Sequence, residues 1–344
     1  MAVSLAGSAL AFVAPGVYAD AWGSVAGGDP APVAVPAASR PAAPVTQVSL
    51  GPTPTPTPVV TVTGPLSTPQ AAQAPGRAAA ASRLARSAES AASRVAASTP
   101  LVVKLMTYNV LGSSHTAAHG DEPSYGPGTE RAHWAAEVIR TYAPDVFGTQ
   151  ETEFDQLAVF QAELPNYTFF PGSASDEPAV RTNLAFDNRR FVMVASGFIT
   201  VTFVGYTRTD PYVELQDKGS GRKFWLFNVH NSPNRHAAGT FEAERRAQLA
   251  QEVSVVNQLV KSAPVFLIGD FNDHDYTYCT LTGRTPLRAA QGGGVSPCRL
   301  PSLNAIDWIF GAGVTTWTHV HRDRGPLVAR STDHHIFVAT ATIR

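Results

Sequence analysis

Six short segments of this sequence carry, at expected strand ends, side chains of the types that can bind metal ions and phosphate. They are Tyr108-Asn109, Gln150-Glu151, Asn228-Val229-His230, Gly269-Asp270-Phe271-Asn272, Ile306-Asp307-Trp308-Ile309 and Asp333-His334-His335. The fourth is the most informative. The apolar run Val265-Phe266-Leu267-Ile268 leads straight into Gly-Asp-Phe-Asn, as in a buried strand that ends by presenting Asp270 and Asn272. Two residues apart, these point to the same side. An acid and an amide at the mouth of a sheet can hold a divalent cation and a phosphate together. Oxygen donors without a matching cysteine set favour Mg²⁺, with Mn²⁺ or Ca²⁺ as alternatives, over a thiolate zinc site. Glu151 and Asp333 suit the carboxylate positions of such a site, with Asn109 and Asp270 beside them.

The elements that must position these residues can be read from periodicity. Strands are expected over 101–110, 146–150, 167–170, 184–186, 191–204, 212–216, 223–230, 265–270, 305–310, 316–321 and 336–343. Helices are expected over 130–142, 154–164 and 240–261, the first stopped by Pro144. Lys218-Gly219-Ser220-Gly221 reads as a hairpin turn. Many strands with few helices between them predict an α/β sandwich, two mostly antiparallel sheets with helices outside. In that arrangement the polar strand ends share one mouth.

The six segments, in this order, resemble the endonuclease/exonuclease/phosphatase superfamily, which includes DNase I-like nucleases, sphingomyelinases and inositol polyphosphate phosphatases. The resemblance covers roughly 103–343 and implies a DNase I-like four-layer sandwich. It implies that Glu151 is the principal metal ligand, with Asn109 and Asp333 near the metal. It implies that His230 binds phosphate and protonates the leaving oxygen. Asp270 and Asn272 would orient the attacking water and hold the phosphate. Asp307 would orient His334, which would serve as base or as charge stabiliser. Such members also carry a second acid that orients the first histidine, for which Asp176 or Glu177 is the candidate.

The remaining readings are structural. His115 and His119 sit in a Gly-rich polar loop and are expected to be solvent-exposed. Asp273, His274 and Asp275 are expected to be loop residues, and Arg245-Arg246 a solvated helix face. Trp134, Trp308 and Trp317 are expected in the core.

Composition divides the chain. Thirteen of its 27 prolines lie between Pro30 and Pro100, with a Thr-Pro repeat from Thr53 to Pro58. Such a stretch buries too little apolar surface to offset its ordering entropy, so 20–100 reads as a disordered or extended linker. Residues 1–19 read as a signal peptide with cleavage after Ala19, although no Lys or Arg precedes Arg40. Residues 101–344 form the catalytic domain. Of 26 basic and 27 acidic residues, five arginines and three acids precede Leu101, which leaves 21 against 24 and a net charge of −3. That domain lacks the global basic footprint of a duplex-DNA binder, although a local patch is compatible with the count. Cys279 and Cys298, 19 residues apart in a Gly- and Pro-rich loop, form a disulfide pair if the chain is exported. Four lysines against 22 arginines, with abundant alanine, fit a GC-rich bacterial genome.

These readings converge on an exported or cell-surface, metal-dependent phosphoric-ester hydrolase acting as a monomer, without a transmembrane helix or stable protein partner. Its substrate is a phosphate ester, with DNA or RNA among the candidates. The alternatives are a sphingomyelinase-like lipid phosphodiesterase and a tethered, non-catalytic binding protein on the same fold.

Overall fold

The computed structural model describes residues 99–174, 181–233, 240–303 and 305–344. The expected signal peptide and nearly all of the linker, as well as Asp176 and Glu177, lie outside the described residues.

The first sheet is built from β1 (Leu101–Asn109), β2 (Val146–Gln150), β3 (Tyr167–Phe170), β4 (Asn183–Asp187), β13 (Val314–Asp323) and β14 (Ile336–Ile343), in the order β13-β14-β1-β2-β4-β3. The second contains β5 (Phe191–Phe203), β6 (Tyr206–Asp217), β7 (Lys223–His230), β8 (Val265–Asp270), β9 (Arg288–Ala289) and β12 (Asp307–Ala312), in the order β5-β6-β7-β8-β12-β9. A short ribbon pairs β10 (Gly294–Val295) with β11 (Cys298–Arg299). Each large sheet is antiparallel except for one central parallel pair, β1 with β2 and β7 with β8. The helices are α1 (Gly128–Tyr142), α2 (Phe154–Glu163), α3 (Thr240–Leu259), α4 (Asp275–Arg284) and α5 (Pro326–Ser331).

Strand alternation creates the layers. On β1, Leu101, Val103 and Leu105 point between the sheets, where they meet Phe224, Leu226, Phe266 and Ile268 of the second sheet. Met106 and Tyr108 of the same strand point the other way, onto Ala132, Ala136, Ile139 and Phe160 of α1 and α2. Across the molecule Phe227, Val229, Val265 and Leu267 pack against Leu249 and Val256 of α3. The result is helix, sheet, sheet, helix, as expected from the sequence.

The sheets approach closely at one end. A Cβ on Gly148 of β2 would meet the Asn228 side chain of β7 at 2.5 Å. Asn228 uses that space to donate to Thr149 O and Asn183 O, while Gln150 Nε2 donates to Asn228 Oδ1 at 2.6 Å. This buried amide ties the two sheets together just below the polar strand ends.

The cysteines do pair, but between regular elements, because Cys279 lies on α4 and Cys298 on β11. Closing this 19-residue separation is worth about 3 kcal/mol in chain entropy. Cys298→Ser is expected to lose about that much stability. Urea midpoints with and without reductant check this: reductant should lower the wild-type midpoint and leave the variant's unchanged.

Candidate active site

Register brings the polar strand ends to one place. Asn109 at the end of β1 pairs with Gln150, one residue before Glu151. His230 at the end of β7 pairs with Asp270, and Asp270 pairs with Asp307 at the start of β12. The loop before β14 adds His334.

The backbone at this mouth is held in an uncommon conformation. Leu111, Glu151 and Asn272 all have positive φ, at 53°, 60° and 50°. Non-glycine residues pay for this region, and such residues gather at functional sites. Buried side chains hold the turns. Arg131 donates to the carbonyls of Val110, Leu111 and Gly112, and Gln156 Nε2 donates to Leu111 O at 3.0 Å. Gly269, at φ 147°, lets β8 pass Val229, whose carbonyl oxygen would lie 2.0 Å from any Cβ there.

Asp270 is the hub. It is 1 % exposed. Its Oδ2 accepts from Asn109 Nδ2 at 3.1 Å and lies 3.5 Å from His230 Nε2 and 3.8 Å from His334 Nε2. Its Oδ1 accepts the Asn272 backbone N–H at 2.9 Å, and Asn272 Nδ2 donates to Asn231 O. Burial pushes the Asp270 carboxyl up; the nearby His334 opposes this and Asp307 adds to it. Asp307 lies 3.0 Å from His334 Nδ1. Burial disfavours the imidazolium of His334, but the Asp307 and Asp270 carboxylates outweigh it and hold the ring well above its ordinary value. His230 is the opposite case. Burial first, then the adjacent Arg208 guanidinium, push it well below the ordinary value. Its ring packs edge-on against Phe203, 4.9 Å between centroids. The two histidines are thus pushed in opposite directions by their surroundings.

Glu151 Oε1 accepts from Asn109 Nδ2 at 2.8 Å, and Oε2 accepts the Gly112 N–H at 3.1 Å. Burial works against its charge, yet His115, His230, His334 and the Asn109 hydrogen bond prevail and hold its carboxyl far below the usual range. Among the described residues, two groups place donor atoms within 4.8 Å of one another: Glu151, His230 and Asp270, and Asp270, Asp307 and His334. These oxygen and imidazole donors, without a thiolate, suit a divalent cation. Asp333 is in neither group; its charge adds to the upward push on His334. Asn109 turns its amide nitrogen toward the carboxylates and its carbonyl to Leu111 N, 3.0 Å away. Here it clamps the acids, and ligation through Oδ1 requires the amide to turn over.

Several buried groups had no individual signal in the sequence. Arg208, 2 % exposed, stacks 3.6 Å over Phe203 and donates to the carbonyl of His230. Asp210 is fully buried beside it, 3.8 Å from the guanidinium. The hint was two opposite charges, Arg208 and Asp210, facing the same side of one β-like stretch. His115 departs from its expected exposure: Nε2 lies 3.3 Å from Glu151 Oε2. Arg245 also departs. It is 5 % exposed, donates to Ser232 O at 3.2 Å and pairs with Asp273, whereas Arg246 is exposed as expected. His119 is exposed and Trp308 is fully buried, as the sequence implied, while Trp134 and Trp317 are half-buried.

Behind the site, Glu252 of α3 is fully buried beside Asn231 and near Asp210, and burial pushes its carboxyl up to about 8. Between the ordinary 4.5 and about 8, the unfolded chain has released this proton and the folded chain keeps it. Rising pH across that window therefore lowers stability, by up to about 1.4 kcal/mol per unit. Glu252→Gln keeps the neutral shape and should flatten that slope. Unfolding midpoints at pH 5 and pH 8 are expected to differ less in the variant than in the wild type.

Two packed six-stranded sheets with acids, amides and two unlike histidines converging at one mouth define a phosphoesterase-type α/β sandwich. The profile of the Endonuclease/Exonuclease/phosphatase family matches residues 106–334, and the chain belongs to that family. An uncharacterised protein of Acanthamoeba polyphaga mimivirus is 25 % identical over 192 residues, 50 % of this chain and 68 % of the relative. Among solved structures, a family member from Bacteroides vulgatus superposes with a TM-score of 0.56 at 17 % identity, covering 71 % of this chain and 100 % of the other. The human Nocturnin catalytic domain, solved with bound sulfate, gives 0.53 at 21 % identity, covering 71 % and 96 %. At these identities the likeness is one of fold. Among the described residues no helix is long and apolar enough to cross a membrane.

Proposed function

We propose that this chain is a divalent-metal-dependent phosphoric-ester hydrolase in which water attacks phosphorus at the mouth formed by Asn109, Glu151, His230, Asp270, Asn272, Asp307 and His334. The observation that carries this reading is the convergence on Asp270 Oδ2 of the Asn109 amide at 3.1 Å and of two histidine Nε2 atoms, His230 at 3.5 Å and His334 at 3.8 Å. Glu151 would hold the cation, with Asp270 and Asn109 at its edge; Mg²⁺, Mn²⁺ and Ca²⁺ suit the oxygen donors. Bound there, the cation supplies a Lewis acid for phosphoryl oxygens.

The protein groups divide the remaining work. Asp270, with its raised carboxyl, takes the proton of the attacking water, a task for which a group titrating near the working pH is best suited. Asn272, fixed by Asn231, directs its side of the mouth toward a phosphate oxygen. His334, kept charged by Asp307, lies against the negative charge that builds on the phosphoryl oxygens. His230, neutral and buried, donates a hydrogen bond to a phosphate or leaving-group oxygen. Export, and display on a Pro- and Thr-rich linker, belong to the same proposal and rest on the disulfide and on composition.

The net charge of −3 from Leu101 onward gives no general attraction to polynucleotide, so small phosphate esters are favoured over duplex DNA. Assay of the purified chain against plasmid DNA, a single-stranded oligonucleotide, sphingomyelin and phosphate monoesters, each with several divalent ions, tests this. Cleavage of at least one ester with a divalent ion is expected. A chain that cleaves none, and binds no cation at millimolar concentration, would instead be a binding protein on this fold.

A further inference from the structure

His115 lies six residues beyond Asn109, in a loop that leaves the mouth through a 3-10 turn over Ser113–Thr116. This loop is anchored to the segment around Glu151. Gly112 N donates to Glu151 Oε2, Ser114 N and Oγ donate to Glu153 Oε1 at 3.1 and 2.6 Å, and Ser113 Oγ donates to Asp155. The imidazole is fixed at both ends. Nδ1 lies 2.7 Å from Asp121 Oδ1, and Nε2 lies 3.3 Å from Glu151 Oε2.

An acid at Nδ1 fixes the tautomer, because the carboxylate accepts and the ring must donate there. In the neutral ring the Nε2 lone pair then points at the Glu151 carboxylate, so two Lewis bases face each other across 3.3 Å. Two donors bonded to one ion at about 2.1 Å, with an angle near 90–110°, stand about 3.0–3.4 Å apart. The observed spacing falls in that range. The order carboxylate, imidazole, metal position is the usual one for a metal-binding histidine.

We propose that His115, oriented by Asp121, is a third imidazole of the site and a direct ligand to the cation held by Glu151, which shifts the preference from Mg²⁺ toward Mn²⁺, Co²⁺ or Zn²⁺. The proposal rests on the metal-dependent reading above. An imidazole donor raises affinity for these borderline ions much more than for Mg²⁺, which keeps to oxygen ligands. The competing account is a protonated His115 that merely pairs with Glu151.

Electron spin-echo measurements on Mn²⁺ bound to the full chain separate the two. A directly bound imidazole nitrogen gives ¹⁴N modulation. The wild type is expected to show it, and His115→Ala to lose it while still binding Mn²⁺ about 10-fold or more weakly. Asp121→Asn, which keeps the loop's shape, is expected to keep the modulation with Mn²⁺ affinity between the two. Mg²⁺ affinity, measured by competition, should change least. Modulation that persists unchanged in His115→Ala, or is absent from Mn²⁺-bound wild type, overturns the proposal. In either case Mn²⁺-dependent hydrolysis of bis(p-nitrophenyl) phosphate by the wild type would leave the hydrolase reading standing. Failure of the wild type to bind any divalent ion overturns both.

Discussion

Glu151→Gln is expected to lower kcat/KM on a phosphate diester by about 10³-fold or more. Three imidazoles and the Asn109 amide surround this carboxyl and hold it far below the usual range. Glutamine preserves volume and keeps one acceptor oxygen for Gly112 N or Asn109 Nδ2, so folding should survive with a small loss of stability. It removes the negative charge that draws a divalent cation to this point. Loss of several kcal/mol of transition-state charge stabilisation corresponds to about three decades in rate. The check is kcat/KM at a divalent-ion concentration that saturates the wild type, together with the unfolding midpoint. A little-changed midpoint with collapsed activity separates a chemical role from a structural one. Higher metal concentration should restore part of the loss if weakened binding causes it.

The second large effect is expected at the Asp307–His334 pair. Asp307→Asn removes the carboxylate that contributes most to keeping His334 protonated against burial. The folded-state pKa of His334 should fall, so the charged ring is lost at lower pH. The rate should rise with pH as Asp270 ionises and decline as His334 deprotonates, with limbs that belong to the coupled pair. In Asp307→Asn the alkaline limb should move to lower pH and the maximum fall by about 10²–10⁴-fold. His334→Ala should remove the alkaline limb altogether. A pH–rate profile of unchanged shape in both variants would sink the assignment of the charged role to His334. Stability should follow the same sign. Stabilisation from the raised His334 pKa is complete below its unfolded value and is lost as pH rises through the folded one.

Much of this site was legible because apolar runs ending in single polar residues mark where buried strands surface. Asn109, Glu151, His230, Asp270, Asp307 and His334 all stand at such points, and the structure gathers them. The expected strand at 212–216 in fact begins at Tyr206, because Arg208 and Asp210 interrupted the apolar pattern. Those charges are tolerated inside a strand only because they meet each other and the His230 backbone, a long-range arrangement that local periodicity cannot report. Helix α4 was read as loop. Its Thr- and Gly-containing sequence has weak helical character, and it forms where Tyr278 and Leu281 are buried, Asp273 accepts the Thr277 N–H and Cys279 is tied to Cys298. His115 was misread for a similar reason. A histidine in a polar loop looks solvated until the contacts of Gly112 and Ser114 fold the loop back onto Glu151 and Glu153.

The central claim is that one mouth, organised around Asp270 and charged by Glu151, hydrolyses phosphate esters with a divalent cation. The most direct measurement is release of p-nitrophenol from bis(p-nitrophenyl) phosphate by the full chain, stripped with chelator and then titrated with Mg²⁺, Mn²⁺ and Co²⁺. The account predicts no turnover after stripping, recovery on adding a divalent ion, and failure of Glu151→Gln to recover at the same concentrations. Turnover that is unaffected by chelator, or an equal recovery in Glu151→Gln, would contradict it.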